Sequence, residues 1–306
     1  MYQFYSRRPQ GYARHGERGG RALPDFPIVD AHVHIYDTEK LSFPWMAGIP
    51  HLNRPHGPKD FSERTSGVAV DKMVFVEVDV APGQHLDEAR WVAEAARQDP
   101  RIQGIVASIP LEKGEGAEPD IAAFARMPLA RGVRRLIQPH VAEPGWCLTP
   151  DFVSGVKLLP KYGLPFEICI LHPQMGDAIE LVRRCPEVSF ILDHIGKPGI
   201  KAGIREPWWS QIKALAELPN VACKISGVVT EADHKTWTYD QVAPYIERAI
   251  ECFGFDRAMF GGDWPVCELA SGYENWISTL DRAVSNVPRS DLEKLYRSNA
   301  IRAYRL

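Results

Sequence analysis

Short apolar runs alternate with amphipathic stretches along the chain from residue 26 onward. The apolar runs are rich in Val, Ile and Phe, and several are almost uninterrupted by polar residues. Such runs are typical of parallel strands that are covered on both faces. We predict eight strands, at residues 26–35, 72–80, 102–109, 132–138, 165–171, 188–194, 221–226 and 257–263.

Helical patterns fill the intervals between these runs. Residues 85–98 place Leu and Ala side chains on one face, and Thr149 followed by Pro150 is a standard helix start. A helix over 239–253 would end at Gly254. A doubly wound sheet usually has fewer strands and a glycine-rich first turn. Eight strands, each followed by a helix, predict an α/β fold, a closed (β/α)₈ TIM barrel.

No shift in composition divides the barrel, so residues 25–306 are predicted to form one domain. Residues 1–24 are rich in Arg and Gly and lack periodicity and the apolar core of a signal peptide, which predicts a mobile N-terminal arm. One connection, residues 36–71 after the first strand, is unusually long and contains Trp, Phe and Pro. A loop of this kind is usually functional, and we expect it to act as a lid.

Charge and cysteine usage narrow the class of protein. The net charge of -3 gives no electrostatic reason to expect nucleic acid or an anionic membrane as a partner. No apolar run approaches the roughly 20 residues that span a bilayer. The six cysteines form no CxxC pair, which favours a reduced, cytoplasmic chain. We therefore expect a small-molecule substrate as partner, with a homo-oligomer left open.

Chemistry-bearing side chains collect at the C-terminal ends of the predicted strands, where barrels place their active sites. His32 and His34 end the first strand and are spaced to point the same way, His194 ends the sixth, and Asp263 ends the eighth. Neutral imidazoles and a carboxylate can hold a divalent metal or polarise a carbonyl, and a carboxylate can take a proton from water. These four residues are the predicted catalytic set.

Four other polar and aromatic residues lie near this end, and two of them have alternative roles. Glu77 could bind substrate hydroxyls or anchor a salt bridge inside the barrel, and Lys224 could face the pocket or pair with a carboxylate. Asp193 is expected to point away from His194 and to be structural. Trp45, in the predicted lid, offers an aromatic face suited to the C–H surface of a sugar ring.

Four segments carry a family resemblance: VDAHVHIYD, ILDHIGKPGI, KISGVVTEAD and MFGGDWPV. They resemble the amidohydrolase superfamily and, more narrowly, its sugar-lactonase branch, which includes L-fuconolactonases, L-rhamnonolactonases and 2-pyrone-4,6-dicarboxylate lactonase. The resemblance extends from about residue 26 to the C-terminus.

This resemblance implies roles for individual residues. Asp263 would be the general base that deprotonates the attacking water, and His32, His34 and His194 would stabilise the developing oxyanion. Arg134 and Lys197 would contact substrate oxygens.

Metal-dependent relatives suggest a zinc site, and His172 is a further substrate-binding candidate. The four implied metal ligands are His32, His34, His172 and Asp263. Since similar residues work without metal in parts of the branch, one divalent ion and no ion both stay open, and no organic cofactor is expected.

The expected activity is hydrolysis of a neutral aldonolactone in carbohydrate catabolism. The chain lacks a GxSxG elbow, which argues against a serine acyl-enzyme. One alternative is a metal-dependent decarboxylase related to aminocarboxymuconate semialdehyde decarboxylase, and another is a lactone isomerase. A sugar-acid binder without turnover is a third, but a binder would not need the base Asp263.

Overall fold

The computed structural model describes residues 24–306, and within them eight parallel strands form one sheet in sequence order. The predicted N-terminal arm lies outside the described residues except for Pro24. The strands are β1 (Ile28–Val33), β2 (Val70–Val76), β3 (Ile102–Ser108), β4 (Ala130–Arg134), β5 (Phe166–Ile168), β6 (Phe190–Leu192), β7 (Val221–Ile225) and β8 (Ala258–Phe260).

Backbone hydrogen bonds between the segments at the ends of β8 and β1 close the sheet. The Asp263 N–H donates to the carbonyl of His32 at 2.8 Å, and the His34 N–H donates to the carbonyl of Trp264 at 2.8 Å. A parallel bridge joins Val33 to Trp264. The predicted (β/α)₈ barrel is therefore confirmed.

Helices follow the strands and surround the barrel. They are α1 (Pro58–Arg64), α2 (His85–Ala95), α3 (Glu118–Ala125), α4 (Pro150–Lys157), α5 (Met175–Arg184), α6 (Trp208–Ala216), α7 (Tyr239–Phe253), α8 (Tyr273–Ala283), α9 (Arg289–Glu293) and α10 (Asn299–Tyr304). The Thr149 side chain caps α4, and Gly254 ends α7 with a φ of 64°, both as predicted. None of the helices in residues 24–306 has the length and apolarity that a membrane crossing requires.

The hydrophobic core has two parts. The larger part lies between the strands and the helices. The smaller part fills the barrel interior with residues such as Val29, Val74 and Val106, and α10 contributes Ala300 and Tyr304 to it. The C-terminal helix therefore closes the end of the barrel opposite His32 and His34.

The long connection after β1 is packed against the barrel. It contains a 3₁₀-helix (Pro44–Gly48) and α1, and an antiparallel bridge between Tyr36 and His56 ties its two sides together. Several of its apolar side chains, including Phe43 and Met46, are buried. The connection therefore packs on the barrel, and its role as a lid stays a prediction.

A buried carboxylate holds β1 to the segment after β8. Asp30 accepts hydrogen bonds from the N–H of His32 (2.9 Å), the N–H of Gly262 (2.8 Å) and the hydroxyl of Tyr273 (2.8 Å). Burial raises the pKa of Asp30 to about 7 although these bonds oppose the shift. The backbone passes so close at Gly262 that an added Cβ would lie 2.3 Å from the Asp30 carboxylate.

The substitution Gly262→Ala should therefore destabilise the protein. We expect a loss of about 1–3 kcal/mol in the free energy of unfolding, because the new methyl group overlaps Asp30 and Tyr273. Urea unfolding followed by circular dichroism measures the loss. Gly272→Ala is the matched control, since a Cβ at Gly272 meets nothing within 4 Å. Equal stability of the two variants would contradict this account of the closure.

Candidate active site

Three histidine rings surround one carboxylate oxygen at the C-terminal mouth of the barrel. Oδ1 of Asp263 lies 3.4 Å from Nε2 of His34, 3.8 Å from Nε2 of His32 and 3.8 Å from Nε2 of His194. All four side chains are buried. The structure thus brings together the four residues that the sequence singled out as catalytic, and we call them the His/Asp cluster.

Unusual backbone geometry positions this cluster. Five of the six non-glycine residues with positive φ in the described chain follow β2, β6 or β8: Asp79, His194, Ile195, Lys197 and Asp263. A left-handed conformation costs a non-glycine residue roughly 1–2 kcal/mol, and such strain tends to collect at functional sites. The predicted strands 188–194 and 257–263 are shorter in the structure because the chain leaves β6 and β8 before these residues.

The protonation states suit proton transfer near neutral pH. Burial lowers the pKa of His194 and of His32 well below 6.5, so both rings are neutral at pH 7. Burial alone would raise the pKa of Asp263, but the His194 and His34 rings and the Lys197 ammonium outweigh it and lower the pKa below 3.8. The cluster therefore combines neutral imidazoles with an ionised carboxylate.

Part of the cluster has the ligand spacing of one divalent ion, while Nε2 of His32 and Nε2 of His194 lie farther from Asp263, at 3.8 Å. Ligand atoms around a tetrahedral ion with bonds of 2.0–2.1 Å are about 3.3 Å apart, and here Nε2 of His32 is 3.2 Å from Nε2 of His34, which is 3.4 Å from Asp263. Nδ1 of His34 lies 2.8 Å from the Val76 carbonyl, and Nδ1 of His194 lies 2.9 Å from the Ser226 hydroxyl. Such outer bonds commonly orient histidine ligands.

His172, predicted as a metal ligand and substrate contact, lies outside the cluster. Among the described residues, one group of possible ligands whose atoms lie within 4.8 Å of one another is His32, His194 and Asp263, and neither His34 nor His172 belongs to such a group. The His172 ring packs on Gly199, where an added Cβ would come within 3.0 Å of the ring. The backbone N–H of His172 donates to the Lys197 carbonyl. His194 replaces it in the candidate ligand set.

Arg134 and Glu77 bind each other instead of projecting freely into the mouth. Nε of Arg134 donates to Oε1 of Glu77 at 2.6 Å, Nη2 donates to the Glu77 carbonyl at 2.5 Å, and Nη1 donates to Oδ2 of Asp193 at 3.1 Å. All three residues are buried. Glu77 therefore takes the salt-bridge role. Arg134, which was expected to contact the substrate, uses its N–H groups to bind Glu77 and Asp193 instead.

Two residues of the barrel interior, Glu167 and Tyr304, escaped the sequence analysis, and Lys224 takes the second of its two expected roles by pairing with a carboxylate. Nζ of Lys224 donates to Oε2 of Glu167 at 2.6 Å and lies 3.1 Å from Oδ1 of Asp193, while the Tyr304 hydroxyl donates to the other oxygen of Glu167. Asp193 was expected to point away from the site, but it lies inside because the chain turns into a one-turn 3₁₀-helix there. A lone Glu in the apolar segment PFEICIL was the available signal for Glu167.

The remaining predicted contacts lie around the mouth. The half-buried Lys197 donates to the Gln138 side chain at 2.6 Å. The Trp45 indole N–H donates to the carbonyl of Val78, just after β2, at 2.8 Å, and 39% of Trp45 is exposed. Lys197, Gln138 and Trp45 are therefore the groups best placed to meet a ligand entering from solvent.

The adjacent residues Arg134 and Arg135 provide a matched test of the interior pairing. Arg134→Met should cost about 3–5 kcal/mol in unfolding free energy, because it leaves Glu77 buried without its cation and removes one of the two cations beside Asp193. Arg135 pairs with Glu112 in a partly exposed position, so Arg135→Met should cost less than about 1 kcal/mol. Urea unfolding of both variants checks the difference, and similar losses would argue against the pairing.

Comparison with known proteins identifies the family. The family model described as Amidohydrolase matches residues 29–306. The chain is 30% identical to the uncharacterized protein y4mH of Sinorhizobium fredii, covering 93% of this chain and 100% of the relative. It is 28% identical to an L-fucono-1,5-lactonase of Burkholderia ambifaria (91% and 95% covered) and 23% identical to an L-rhamnono-gamma-lactonase of Scheffersomyces stipitis (93% and 100%).

Solved structures agree with this assignment. A Burkholderia multivorans amidohydrolase with bound zinc superimposes with a TM-score of 0.83 at 28% identity, covering 92% of this chain and all of that one. A probable 2-pyrone-4,6-dicarboxylic acid hydrolase from Acinetobacter baumannii, with a TM-score of 0.74 at 15% identity and coverage of 92% and 100%, shares the fold. The resemblance seen in the sequence is confirmed, and so is the prediction of an enzyme: the chain belongs to the amidohydrolase family.

Proposed function

We propose that this protein hydrolyses the ester bond of a sugar-acid lactone with Asp263 as the general base. The observation that carries the proposal is the ionised carboxylate of Asp263 within 3.8 Å of three histidine Nε2 atoms at the barrel mouth. The relatives with assigned names support the reaction class, since they are called lactonases or, in one case at 24% identity, a 4-sulfomuconolactone hydrolase.

In the proposed reaction, a water molecule attacks the lactone carbonyl while Asp263 accepts its proton. The tetrahedral intermediate carries a negative oxygen, which the imidazole groups of the cluster stabilise. Its collapse breaks the ring C–O bond, and the proton held by Asp263 passes to the leaving ring oxygen, which gives the hydroxy acid. Ser226 is not the nucleophile, because it is fully buried behind His194 and bonded to Nδ1 of that ring. Its hydroxyl instead orients His194.

A divalent metal is compatible with the same residues. His32, His34, His194 and Asp263 would hold it, and it would polarise the carbonyl and lower the pKa of the attacking water. The zinc in the related Burkholderia multivorans structure supports this part of the proposal.

The charges near the mouth favour a neutral aldonolactone over a dicarboxylate. Arg134, which was expected to contact substrate oxygens, donates its hydrogen bonds to Glu77 and Asp193. Lys197 and Gln138 can exchange hydrogen bonds with sugar hydroxyls, and the exposed face of Trp45 suits the C–H side of the ring. Two solved 2,6-dihydroxybenzoate decarboxylases share only the fold at 16% identity, and no contact in the site favours that alternative.

A panel of aldono-1,4- and aldono-1,5-lactones should reveal turnover. Acid release, followed with a pH indicator and corrected for spontaneous hydrolysis, measures hydrolysis and excludes an isomerase, which releases no acid. Each assay is run on chelator-treated enzyme and on the same enzyme with zinc restored. Activity confined to 2-pyrone-4,6-dicarboxylate would reject the neutral substrate, and the absence of acid release from every lactone would reject the function.

Asp263→Asn should remove most of the activity without unfolding the barrel. An amide cannot accept the proton from water, so we expect kcat to fall by about 10²- to 10⁴-fold. Steady-state kinetics on the best lactone and a circular dichroism melt measure the two effects.

The control for this variant is His172→Gln. Because His172 lies outside the His/Asp cluster, its substitution should leave both zinc content and the kcat of the metal-restored enzyme close to wild type. Retention of wild-type kcat by Asp263→Asn would refute the base assignment.

A further inference from the structure

Lys224 is a fully buried cation in direct contact with the His/Asp cluster. Its ammonium nitrogen lies 2.6 Å from Oε2 of Glu167, 3.1 Å from Oδ1 of Asp193 and 3.1 Å from Nδ1 of His32. An ammonium group has three N–H donors and cannot accept a hydrogen bond. Glu167 and His32 accept hydrogen bonds from this ammonium group, whereas Oδ1 of Asp193 is an ion-pair contact without a hydrogen bond.

The contact between Lys224 and His32 determines where the imidazole proton sits. Nδ1 of His32 accepts from the ammonium only if it carries no proton of its own. A proton on Nδ1 would face the ammonium at 3.1 Å and leave one buried N–H without an acceptor, which costs roughly 1–3 kcal/mol. The competing partner for such a proton, Oδ1 of Asp193, is farther away at 3.4 Å and lacks hydrogen-bond geometry.

The other side of the His32 ring leads to the same assignment. Nδ1 of His34 lies 2.8 Å from the Val76 carbonyl, which can only accept, so the proton of this ring belongs on Nδ1 and its Nε2 can accept a hydrogen bond. That lone pair faces Nε2 of His32 at 3.2 Å. Two lone pairs at this distance repel each other, whereas a proton on Nε2 of His32 makes the contact a hydrogen bond.

One further cation faces the ring. Nη1 of Arg134 lies 3.4 Å from Nε2 of His32, but it also donates to Oδ2 of Asp193 at the shorter distance of 3.1 Å. Arg134 therefore does not need His32 as an acceptor. The hydrogen bonds then run in one direction, from Lys224 to His32, from His32 to His34, and from His34 to Val76.

We propose that Lys224 is a positioning residue that keeps the ring proton of His32 on Nε2 in the metal-free enzyme. The Nε2–H of His32 then donates to Nε2 of His34, and a substrate carbonyl oxygen would receive this proton only by taking the place of that acceptor. The same proton blocks the lone pair with which His32 would bind a metal. Lys224 thus weakens divalent-metal binding, and a metal that uses His32 has to drive this proton to Nδ1, toward Asp193.

The first test is direct observation of the His32 tautomer. The metal-free wild-type protein, labelled with ¹⁵N-histidine, is studied at pH 7.5 by long-range ¹H–¹⁵N correlation spectroscopy, and the His32→Gln variant identifies the signal. The proposal requires a protonated Nε2 and an unprotonated Nδ1. The opposite pattern overturns it, and a variant is needed only to assign the signal.

The second test measures zinc affinity by competition with a chromophoric chelator. Lys224→Met removes the donor, so the His32 proton should move to Nδ1 and zinc should bind about 10- to 100-fold more tightly. Lys197→Met is the matched control, since it removes a positive charge at the mouth without contacting His32. It should leave the tautomer unchanged and should not reproduce the full gain in affinity.

Two outcomes of the second test would overturn the proposal. One is an unchanged tautomer and affinity in Lys224→Met, and the other is an equal gain in both variants, which would mean that charge alone controls the affinity. The inference concerns the site of the proposed lactonase, but both readouts are made without substrate. A failed lactone screen and a failed tautomer test are therefore distinguishable results.

Discussion

The pairing of charges inside the barrel is the constraint on which the site depends. Arg134 and Lys224 are fully enclosed and are matched by Glu77, Glu167 and Asp193. An unpaired charge in this environment would cost several kcal/mol, so each side chain fixes the position of the next. The network contacts the His/Asp cluster through His32, so the position of this ring is fixed from inside the barrel. Tyr304 extends this network to the closed end of the barrel.

The cluster at the mouth has a complementary electrostatic character. Asp263 remains ionised although it is buried, while His32 and His194 remain neutral because burial disfavours their charged forms. An ionised carboxylate and two uncharged rings are therefore present together at neutral pH. This combination suits the proposed activation of water with a bound metal and without one. For this reason the residue types alone left both a divalent ion and no ion open.

The fold was largely predictable from the sequence, and the site partly so. Apolar runs and helix-start and helix-stop residues located all eight strands, because burial on both faces leaves a strong pattern. The spacing of His32 and His34 and the strand-end positions of His194 and Asp263 identified the cluster. The direction of Asp193 was misjudged because alternation applies only within a strand, and the chain has already left β6 there. The commitment of Arg134 to Glu77 depends on contacts 57 residues apart, which no local pattern encodes.

The left-handed residues after β2, β6 and β8 have a consequence for engineering this enzyme. His194 and Asp263 hold conformations that glycine would adopt at less cost, and they do so beside side chains that the chemistry needs. Methods that rank substitutions by thermal tolerance would therefore favour glycine at two positions to which the proposed function assigns the chemistry. A heat-resistant version of this barrel is better sought in the outer helices, whose exposed faces can be changed without relaxing the mouth.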